Sequence, residues 1–324
     1  MMKALGCAIA SALVLVAGTA LAKPPLPISE CGTVITQPGK YHVTQDLFCE
    51  PDQQGIQIFA SDVTLDLKGH TITCDASGEE SVGAVWVGNF FDPDLVVDNV
   101  WVKNGTVSGC NDGVIFFYGQ SGKATKITAT GNVGSGIFVL EAKDTLIKNN
   151  VGFGNGQAIG TSGGIGSEIK GNVLYDNFDV AIALEPGIDS LVACNTSERD
   201  VFGVRIGPLS SGNVVRGNHI RNGGYGIALY GIGIPEMIFQ PVPSDNLIRN
   251  NIVQGSGRFD LAEVVLNPFT RLPFAPPECL NTWTKNQYVS LLGPVDCIAP
   301  PVELDDDDVC ALDDDDDDSD SDSD

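Results

Sequence analysis

The sequence predicts an all-β protein, a single-stranded right-handed parallel β-helix, because two short sequence motifs repeat with the same period. A small residue followed by Val or Ile recurs in steps of 22 or 23 residues, with the small residue at Gly113, Gly136, Ala158, Ala181, Gly203 and Gly226. An asparagine after a short apolar run recurs between these pairs, at Asn132, Asn150, Asn172, Asn195, Asn218 and Asn251. Two markers that share a period of this length indicate a solenoid.

The repeating unit is built of strands and turns. No apolar stripe with a 3.6-residue period is present, and the short alternating apolar runs are separated by Gly, Asn and Asp, as in strands joined by turns. A coil that closes every 22 or 23 residues stacks each strand about 4.8 Å above its earlier copy. Parallel crossovers favour the right hand, and the repeat length predicts about eight to nine coils.

The repeated asparagines suit the bends between strands. Asparagine tolerates the left-handed backbone conformation of a sharp bend. Its side-chain amide can also bond the asparagine of the next coil. We therefore expect the six repeated asparagines to form one buried ladder.

The first 22 residues predict a cleavable signal peptide. They contain one Lys, an apolar run over residues 8–17 and a small-residue exit at residues 20–22, which is the pattern of a secretory signal. The mature protein is therefore expected to be secreted or periplasmic. No stretch is long enough to span a bilayer, so membrane insertion is not expected. Removal of Cys7 with the signal leaves eight cysteines, an even number that suits disulfides in an exported chain.

Beyond the signal peptide, the composition divides the chain into four parts. A solenoid needs caps because its first and last coils would otherwise expose their apolar interior. Residues 301–324 are dominated by aspartate and cannot bury a core, so they are expected to be disordered. The predicted boundaries are an N-terminal cap over residues 23–54, a β-helix over 55–265, a C-terminal cap over 266–300 and an acidic tail over 301–324.

The first coils align with each other and predict a disulfide. Residues 63–74 match residues 100–110, which places Cys74 over Cys110. Stacked residues have Cα atoms about 5 Å apart, within disulfide range. The segment between these coils, residues 88–94, contains two aspartates. They favour an ordinary loop, with a calcium loop as the alternative, and no cofactor is otherwise expected.

Four stretches resemble a known family of β-helix repeats. Residues 149–151, 216–220, 225–229 and 249–252 read Asn-Asn-Val, Arg-Gly-Asn-His-Ile, Tyr-Gly-Ile-Ala-Leu and Arg-Asn-Asn-Ile. They resemble the NosD-like and carbohydrate-binding/sugar-hydrolysis repeats of the pectate-lyase-like superfamily of right-handed parallel β-helices. The resemblance covers about residues 55–265. It implies the fold but does not specify the function, because this superfamily includes lyases, hydrolases, epimerases, adhesins and structural coils.

The two ends of the chain also resemble exported β-helix proteins. The segment that begins at Cys31 is similar to the N-terminal segment of these proteins. The segment around Cys279 and Cys297 is similar to their C-terminal cap. The resemblance implies disulfides between Cys31 and Cys49 and between Cys279 and Cys297. Two further cysteines remain, Cys194 at a turn and Cys310 in the acidic tail, and these either pair loosely or stay free.

Charge and ligand chemistry exclude some partners. The net charge is −24, of which thirteen aspartates and one glutamate in the tail contribute −14, leaving −10. A chain this acidic, without a basic stripe, is not expected to bind nucleic acid or an anionic membrane by charge. Copper requires soft or imidazole ligands. The mature chain offers only His42, His70, His219 and Met237, so a NosD-like accessory role for a metal centre is the weakest of three functional hypotheses.

The candidate site lies on the outward side of one sheet. Alternation from the repeated pairs directs positions 185, 205 and 230 outward on three successive coils, and these hold Glu185, Arg205 and Tyr230. For substrate binding, Tyr230 would supply a stacking ring, Arg205 a charge for an acidic sugar and Glu185 a hydrogen-bond acceptor. Arg205 and Glu185 are also the catalytic candidates. A surface ion pair between them is the competing interpretation.

The lower half of the same face is apolar, with Ile115, Phe117, Phe138 and Leu140 pointing outward. A patch of this size must be covered by the 88–97 insertion or serve as a contact surface.

The favoured function is non-catalytic binding of a polysaccharide or a cell-surface protein by the repeated faces. A lyase of the resembled superfamily needs an Arg or Lys base with acidic calcium ligands, and a hydrolase needs two or three facing carboxylates. One arginine and one glutamate complete neither set. A polysaccharide lyase or glycoside hydrolase that acts on an acidic polysaccharide is therefore the second hypothesis, and the metal-centre role is the third.

Overall fold

The structure, a computed structural model, describes residues 24–304 and 310, except residues 79–80, 235–236, 271, 277 and 295. The predicted signal peptide and most of the predicted acidic tail lie outside the described residues. Within the described part, no helix is long and apolar enough to cross a membrane.

The described residues form 33 strands. The first eleven are β1 (Leu26–Ile28), β2 (Thr33–Ile35), β3 (Gly39–Val43), β4 (Leu47–Cys49), β5 (Ile56–Ile58), β6 (Val63–Asp66), β7 (Thr71–Cys74), β8 (Gly83–Val87), β9 (Val100–Ser108), β10 (Asp112–Phe117) and β11 (Lys123–Thr130). The next eleven are β12 (Ser135–Leu140), β13 (Leu146–Lys148), β14 (Val151–Phe153), β15 (Gln157–Ser162), β16 (Gly164–Ile165), β17 (Glu168–Lys170), β18 (Val173–Tyr175), β19 (Val180–Leu184), β20 (Gly187–Ile188), β21 (Leu191–Ala193) and β22 (Thr196–Glu198). The last eleven are β23 (Phe202–Ile206), β24 (Val214–Arg216), β25 (His219–Arg221), β26 (Tyr225–Ile234), β27 (Met237–Gln240), β28 (Leu247–Arg249), β29 (Ile252–Gln254), β30 (Phe259–Leu266), β31 (Pro273–Phe274), β32 (Thr282–Thr284) and β33 (Leu291–Leu292).

These strands make two long sheets that enclose one core. Sheet A has 18 strands and sheet B has 13, and a short third sheet pairs β16 with β20. In the central coils each turn of the chain contributes two strands to sheet A and one to sheet B, and each strand pairs in parallel with its copy one coil later. This is the predicted all-β parallel β-helix.

The stack contains more coils than the repeat length predicts. Eleven strands of sheet B stack in parallel, and β27 and β31 pair antiparallel beside them. The difference arises because β2 lies within the predicted N-terminal cap and β33 within the predicted C-terminal cap. Both strands continue the parallel stack.

The repeated pair of residues is explained by packing. The Val or Ile of each pair lies in one inward column, at Val114, Ile137, Ile159, Ile182, Val204 and Ile227, and all six are buried. The small residue before it faces a neighbouring strand at close range. A Cβ on Gly203 would lie 2.4 Å from Ile220 Cγ2, and one on Gly226 would lie 2.1 Å from Val253 Cγ1. A larger side chain would therefore push the two sheets apart.

In the central coils the chain bends at three corners that share one design. A residue with positive φ makes the bend, such as Asn149 (57°), Asp176 (53°) or Asp189 (50°), and a buried polar residue follows it. The buried side chain accepts hydrogen bonds from the coil before and, where it is an asparagine, donates to the coil after. The buried backbone groups at the bend are satisfied in this way.

The three corners carry three polar rows. The first row is Asn150, Asn172, Asn195, Asn218, Asn251 and Asn286. The second row is Asn132, Asn155, Asn177 and Asp200. The third row is Ser167, Ser190, Asn213, Asn246 and Asn281.

The predicted ladder needs one correction. Five of its six asparagines form the first row, but Asn132 belongs to the second, where its Nδ2 donates to Asn155 Oδ1 at 2.9 Å. The reason is the period: Asn150 follows Asn132 by only 18 residues, whereas Asn155 follows it by 23. One coil therefore has asparagines at two different corners.

Disulfides tie both ends of the stack. The structure pairs Cys31 with Cys49, Cys74 with Cys110 and Cys279 with Cys297, which are the three pairs that the sequence predicts. Val63 lies beside Val100 in the same register as the predicted alignment. The two remaining cysteines, Cys194 and Cys310, are also bonded, with their Cα atoms 5.6 Å apart.

Candidate binding groove on sheet B

A groove runs over the C-terminal half of the outer face of sheet B. Its floor is one outward column in which Gly160, Ala183, Arg205, Ala228 and Ala262 follow one another in register. Next to Arg205, the small side chains of Ala228 and Ala262 on consecutive coils leave a depression between the flanking columns. The resulting cavity of about 300 Å³ is lined by Phe202, Arg205, Tyr225, Ala228, Tyr230, Arg258, Ala262, Val264 and Leu266.

Aromatic rings form one wall of this groove. Phe202 and Tyr225, on adjacent coils, stack with ring centroids 4.9 Å apart and an interplanar angle of 6°. Phe259 on the next coil is tilted by 34° relative to Tyr225, at 6.4 Å. The exposed Arg258 lies 5.5 Å from the Tyr225 ring and donates from Nη1 to its hydroxyl at 3.2 Å. This wall combines apolar ring surface with a cation.

A charged cluster closes the other end of the groove. Arg205 donates from Nε to Glu185 Oε1 at 2.5 Å and from Nη1 to Asp179 Oδ2 at 2.7 Å. The Tyr230 hydroxyl donates to Glu185 Oε1 at 3.1 Å. The structure thus brings together Arg205, Glu185 and Tyr230, the three residues singled out in the sequence.

Asp179 is a member of this cluster that sequence reasoning missed. It immediately precedes Val180, which pairs with Phe202 at the start of the sheet B strand. The outward columns predicted from the repeats lie at the middle and end of each strand, and Asp179 lies before both. The spacing of Phe202 and Tyr225, one repeat of 23 residues apart, was the signal that could have drawn attention to this end of the strands.

Electrostatics hold Arg205 and Tyr230 in their protonated forms. For Arg205, burial alone would lower the pKa, but the carboxylates of Glu185 and Asp179 outweigh it and the pKa is raised. For Tyr230, burial and then the negative charge of Glu185 raise the pKa to about 12. Near neutral pH, Arg205 is therefore a fixed cation and Tyr230 a neutral hydrogen-bond donor, and neither is suited to act as a general base.

The charge of Arg205 is neutralised within the protein. Its two carboxylate partners carry two negative charges against one positive charge, so the cluster as a whole is acidic. This arrangement matches the ion pair between Glu185 and Arg205 that was the competing interpretation, extended by Asp179. The cation that the groove presents without a carboxylate among its described partners is Arg258.

The apolar half of the face is covered in part. Ile115 and Phe117 are buried. Phe117 packs edge-on against Trp86 at 5.3 Å and against Phe90 of the insertion at 5.9 Å, and the Tyr118 hydroxyl donates to the Phe90 carbonyl at 3.3 Å. The insertion therefore covers the Phe117 end of the patch, whereas Phe138 and Leu140 on the next coil stay partly exposed.

One family model matches the chain over residues 96–256, and its description is "Periplasmic copper-binding protein (NosD)". The residues present do not fit a copper centre. The matched range contains one histidine, His219, and one methionine, Met237, and both of its cysteines are in disulfides. Within the described part of the chain, no three His, Cys, Asp or Glu side chains are grouped so that they could hold a metal ion.

Solved structures with the same fold include two mutants of the tailspike protein of E. coli bacteriophage HK620, each in complex with a pentasaccharide. Their TM-scores are 0.57 and 0.55, both at 13% identity. The matches cover 82% and 79% of this chain but only 52% and 50% of the tailspike chains, so this chain spans about half their length. Comparison with curated proteins gave no match.

The parallel register of the coils, the family match and these structures define the fold. The chain is a right-handed parallel β-helix of the pectate-lyase-like kind. Four disulfides are typical of a protein that folds outside the cytoplasm.

Proposed function

We propose that this protein is an exported, non-catalytic β-helix that binds a carbohydrate in the groove of sheet B. The observation that carries the proposal is the shape of the groove: a floor of alanines between a wall of stacked rings and a polar cluster. A cavity of this size suits one or two sugar rings. Aromatic surface packs against the apolar side of a sugar, and the polar groups at the end of the groove satisfy its hydroxyls.

The groove divides the recognition between its two ends. At one end Tyr225 and Phe259 offer ring surface, and Arg258 offers a charge that can meet a carboxylate or sulfate on the sugar. At the other end the Tyr230 hydroxyl gives its proton to Glu185, so its oxygen and the remaining lone pairs of the Glu185 carboxylate offer acceptors for sugar hydroxyls. Arg205 holds Glu185 in place, so its role is to position that acceptor. The tailspike structures, which were solved with a pentasaccharide, support an oligosaccharide as the ligand class.

Binding is favoured over catalysis because the charged groups bond to one another. A general acid or base must reach a proton of the substrate. Here Glu185 and Asp179 both accept hydrogen bonds from Arg205, and Arg205 stays protonated. A cell-surface protein could use the same groove, but a row of alanines beside stacked rings suits a narrow sugar chain better than a broad protein surface.

A glycoside hydrolase is the second candidate, and Asp179 is the observation that favours it. With Asp179 the groove has two carboxylates on either side of Arg205, and hydrolysis of a glycosidic bond commonly uses two carboxyl groups. Rearrangement of Arg205 would be needed to free them.

A polysaccharide panel tests the proposal. The purified protein is run by affinity electrophoresis through neutral and acidic polysaccharides, with and without calcium. We expect retention by at least one polysaccharide, weakened about tenfold or more in Tyr225→Ala. The matched control is Tyr175→Ala, because Tyr175 stacks on Phe153 in the same geometry (5.0 Å, 3°) on sheet A, outside the groove.

The same incubations distinguish binding from catalysis. Reducing ends and unsaturated ends are measured after prolonged incubation with each polysaccharide, and we expect neither to increase. New ends that disappear in Glu185→Gln or Asp179→Asn would establish the enzyme instead. If retention is unchanged in Tyr225→Ala, the polysaccharide does not bind in the groove.

A further inference from the structure

A second cavity lies on the outer face of sheet A, over its first coils. Its volume is about 240 Å³. Two neighbouring outward columns of side chains run beneath it. One column holds Lys40, Thr64, Trp101 and Lys123, and the other holds His42, Asp66, Lys103 and Thr125. This cavity is separate from the groove, which is built on sheet B.

Three lysines and one carboxylate line the cavity. The lysines are Lys40, Lys68 and Lys103, and the carboxylate belongs to Asp66. Lys68 neutralises Asp66, because its Nζ lies 3.3 Å from Oδ2 and its backbone N–H donates to Oδ1 at 2.8 Å. Within the described part of the chain, Lys40 and Lys103 make no ion pair. The cavity therefore has an excess of positive charge, in a chain whose net charge is −24.

Trp101 holds two lysine amines beside the cavity. The Nζ atoms of Lys103 and Lys123 lie 3.9 and 5.9 Å from the centre of the Trp101 ring, both within range of a cation–π contact. The indole Nε1 donates to Thr125 Oγ1 at 2.8 Å, which fixes the ring. Because the ring restrains both lysines, they lose less conformational freedom when they bind a ligand.

Two further polar groups at the cavity have no partner among the described residues. Thr64 lies between Lys40 and Trp101 in its column, and its hydroxyl makes no hydrogen bond there. The Nδ1 atom of His42 is buried and also makes none. Native proteins rarely leave such an atom unsatisfied, and a bound polar group or ion is one explanation. The cavity thus offers hydrogen-bonding groups as well as charge.

The chemistry of these groups favours a tetrahedral oxyanion. A lysine amine acts as a point charge, whereas the planar fork of arginine is the group that matches a carboxylate. Lys40 and Lys103 are two coils apart, or about 10 Å along the axis, with Thr64 on the coil between them. Donors that converge from different directions suit the divergent oxygens of a sulfate or phosphate ester. The cavity also leaves room for the sugar ring that carries such an ester.

We propose that this cavity is a second saccharide site, which binds a sulfated or phosphorylated sugar with its oxyanion between Lys40 and Lys103. The two sites differ in charge, because in the groove Arg205 faces two carboxylates, those of Glu185 and Asp179. They also lie on different sheets, so the inference does not depend on the function proposed for the groove. With both sites, one protein binds saccharides of different charge on two of its faces.

Nuclear magnetic resonance of the Trp101 indole tests the proposal, because this side chain lines the cavity and the chain has only three tryptophans. The full-length mature protein, labelled with nitrogen-15, is titrated separately with a trisulfated heparin disaccharide, glucose 6-phosphate and sodium sulfate. Trp101→Phe identifies the signal. We expect it to shift saturably with at least one of the two sugars, at concentrations about tenfold or more below those that sodium sulfate requires. The signals of Trp86, on sheet B, and of the buried Trp283 should not move.

Lysine variants locate the bound oxyanion. Lys40→Gln/Lys103→Gln should raise the dissociation constant about tenfold or more, because it removes two charge-assisted hydrogen bonds. Lys143→Gln is the matched control, because Lys143 is an exposed lysine at a corner of a later coil, outside both columns. It should leave the constant unchanged within about twofold. Tyr225→Ala, in the groove, should also leave it unchanged.

Other outcomes would overturn the proposal. If neither sugar shifts the Trp101 signal saturably, the cavity is not a saccharide site. If sodium sulfate binds as tightly as the sugars, the cavity is a site for a free anion. An equal loss in Lys143→Gln would show a general attraction of charge, and a loss in Tyr225→Ala would place the ligand in the groove.

Discussion

The corners of the coils and the groove on sheet B use the same kinds of polar side chain in opposite surroundings. At a corner, one buried asparagine bonds the equivalent asparagine of the next coil, and the arrangement repeats up the stack. In the groove, Asp179, Glu185, Arg205 and Tyr230 meet only once and are partly open to solvent. Repetition indicates a structural role for the corners, whereas the cluster in the groove occurs once, and the proposed binding function depends on it.

The largest effect is expected at a corner. Asn172 accepts from Asn150 at its Oδ1 and donates from Nδ2 to the Ile147 carbonyl and Asn195 Oδ1, and all of these groups are buried. Asn172→Ala leaves several of them unsatisfied, so we expect the free energy of unfolding to fall by about 2–4 kcal/mol. Chemical denaturation measures this change.

The matched control for the corner is Asn104→Gly. Asn104 is also an asparagine at a bend, with φ of 59°, but within the described residues its side chain makes one hydrogen bond, from Nδ2 to Asp66 Oδ1 at 3.2 Å, outside the three rows. Glycine keeps that backbone conformation without strain. We expect a loss below about 1 kcal/mol. Equal losses for the two variants would contradict the division between corner rows and other bends.

The groove gives the next effect, and it should appear in affinity with little change in stability. Ala228 forms the floor and packs beside Tyr225 and Tyr230. Ala228→Leu would place its extra atoms in the groove, so we expect the dissociation constant for a retained polysaccharide to rise about tenfold or more. The melting temperature should stay within about 2 °C of the wild type. A large loss of stability with unchanged affinity would show that this position belongs to the core.

These regions also differ in how far the sequence predicts them. The corner asparagines follow from the period, since the first row repeats every 22 or 23 residues through Asn218. Asn132 was placed in the wrong row because asparagines at two corners lie only five residues apart, as Asn150 and Asn155 do. An apolar run before an asparagine does not say which corner it occupies.

The groove was predicted only in part. Outward alternation brought Arg205, Glu185 and Tyr230 together, but it could not supply Asp179, which lies before the regular part of its strand. The aromatic wall was missed because Phe259 follows Tyr225 by 34 residues, after the hairpin of β26 and β27 lengthens the coil. The bond between Cys194 and Cys310 joins residues 116 apart, one of them outside the repeats, so no period could reveal it.

A smaller effect is expected where a corner row ends in a carboxylate. Asp200 accepts from Asn177 and from the Ser197 hydroxyl, and burial raises its pKa. The folded state therefore binds the proton more tightly than the unfolded state. The contribution of this group to stability falls as pH rises from the ordinary aspartate pKa through the raised value.

Asp200→Asn tests this pH dependence. Asparagine can accept from Asn177 and donate to Ser197, so it continues the row without a charge. We expect the variant to melt about 1–3 °C above the wild type at pH 7, and the gain should vanish at a pH below the ordinary aspartate pKa. A gain that is independent of pH would show that the carboxylate charge is not its cause.

The smallest effect concerns the groove and requires no ligand. Burial and then the negative charge of Glu185 raise the pKa of Tyr230 to about 12. Glu185→Gln removes the charge and keeps an acceptor for the Tyr230 hydroxyl, so the pKa of Tyr230 should fall below the wild-type value. Ultraviolet titration of tyrosinate measures it, with Tyr230→Phe identifying its signal among the six tyrosines.

Asp260→Asn is a useful control, because Asp260 is a carboxylate bonded to Val289 and Ser290 on the C-terminal coils and makes no bond to Tyr230. If both substitutions move the Tyr230 titration equally, a general change of charge or folding explains the shift. If only Glu185→Gln moves it, Glu185 and Tyr230 form one coupled unit. That unit presents hydrogen-bond acceptors, the Tyr230 oxygen and the Glu185 carboxylate, at one end of a groove walled by rings, which is the arrangement that the carbohydrate proposal requires.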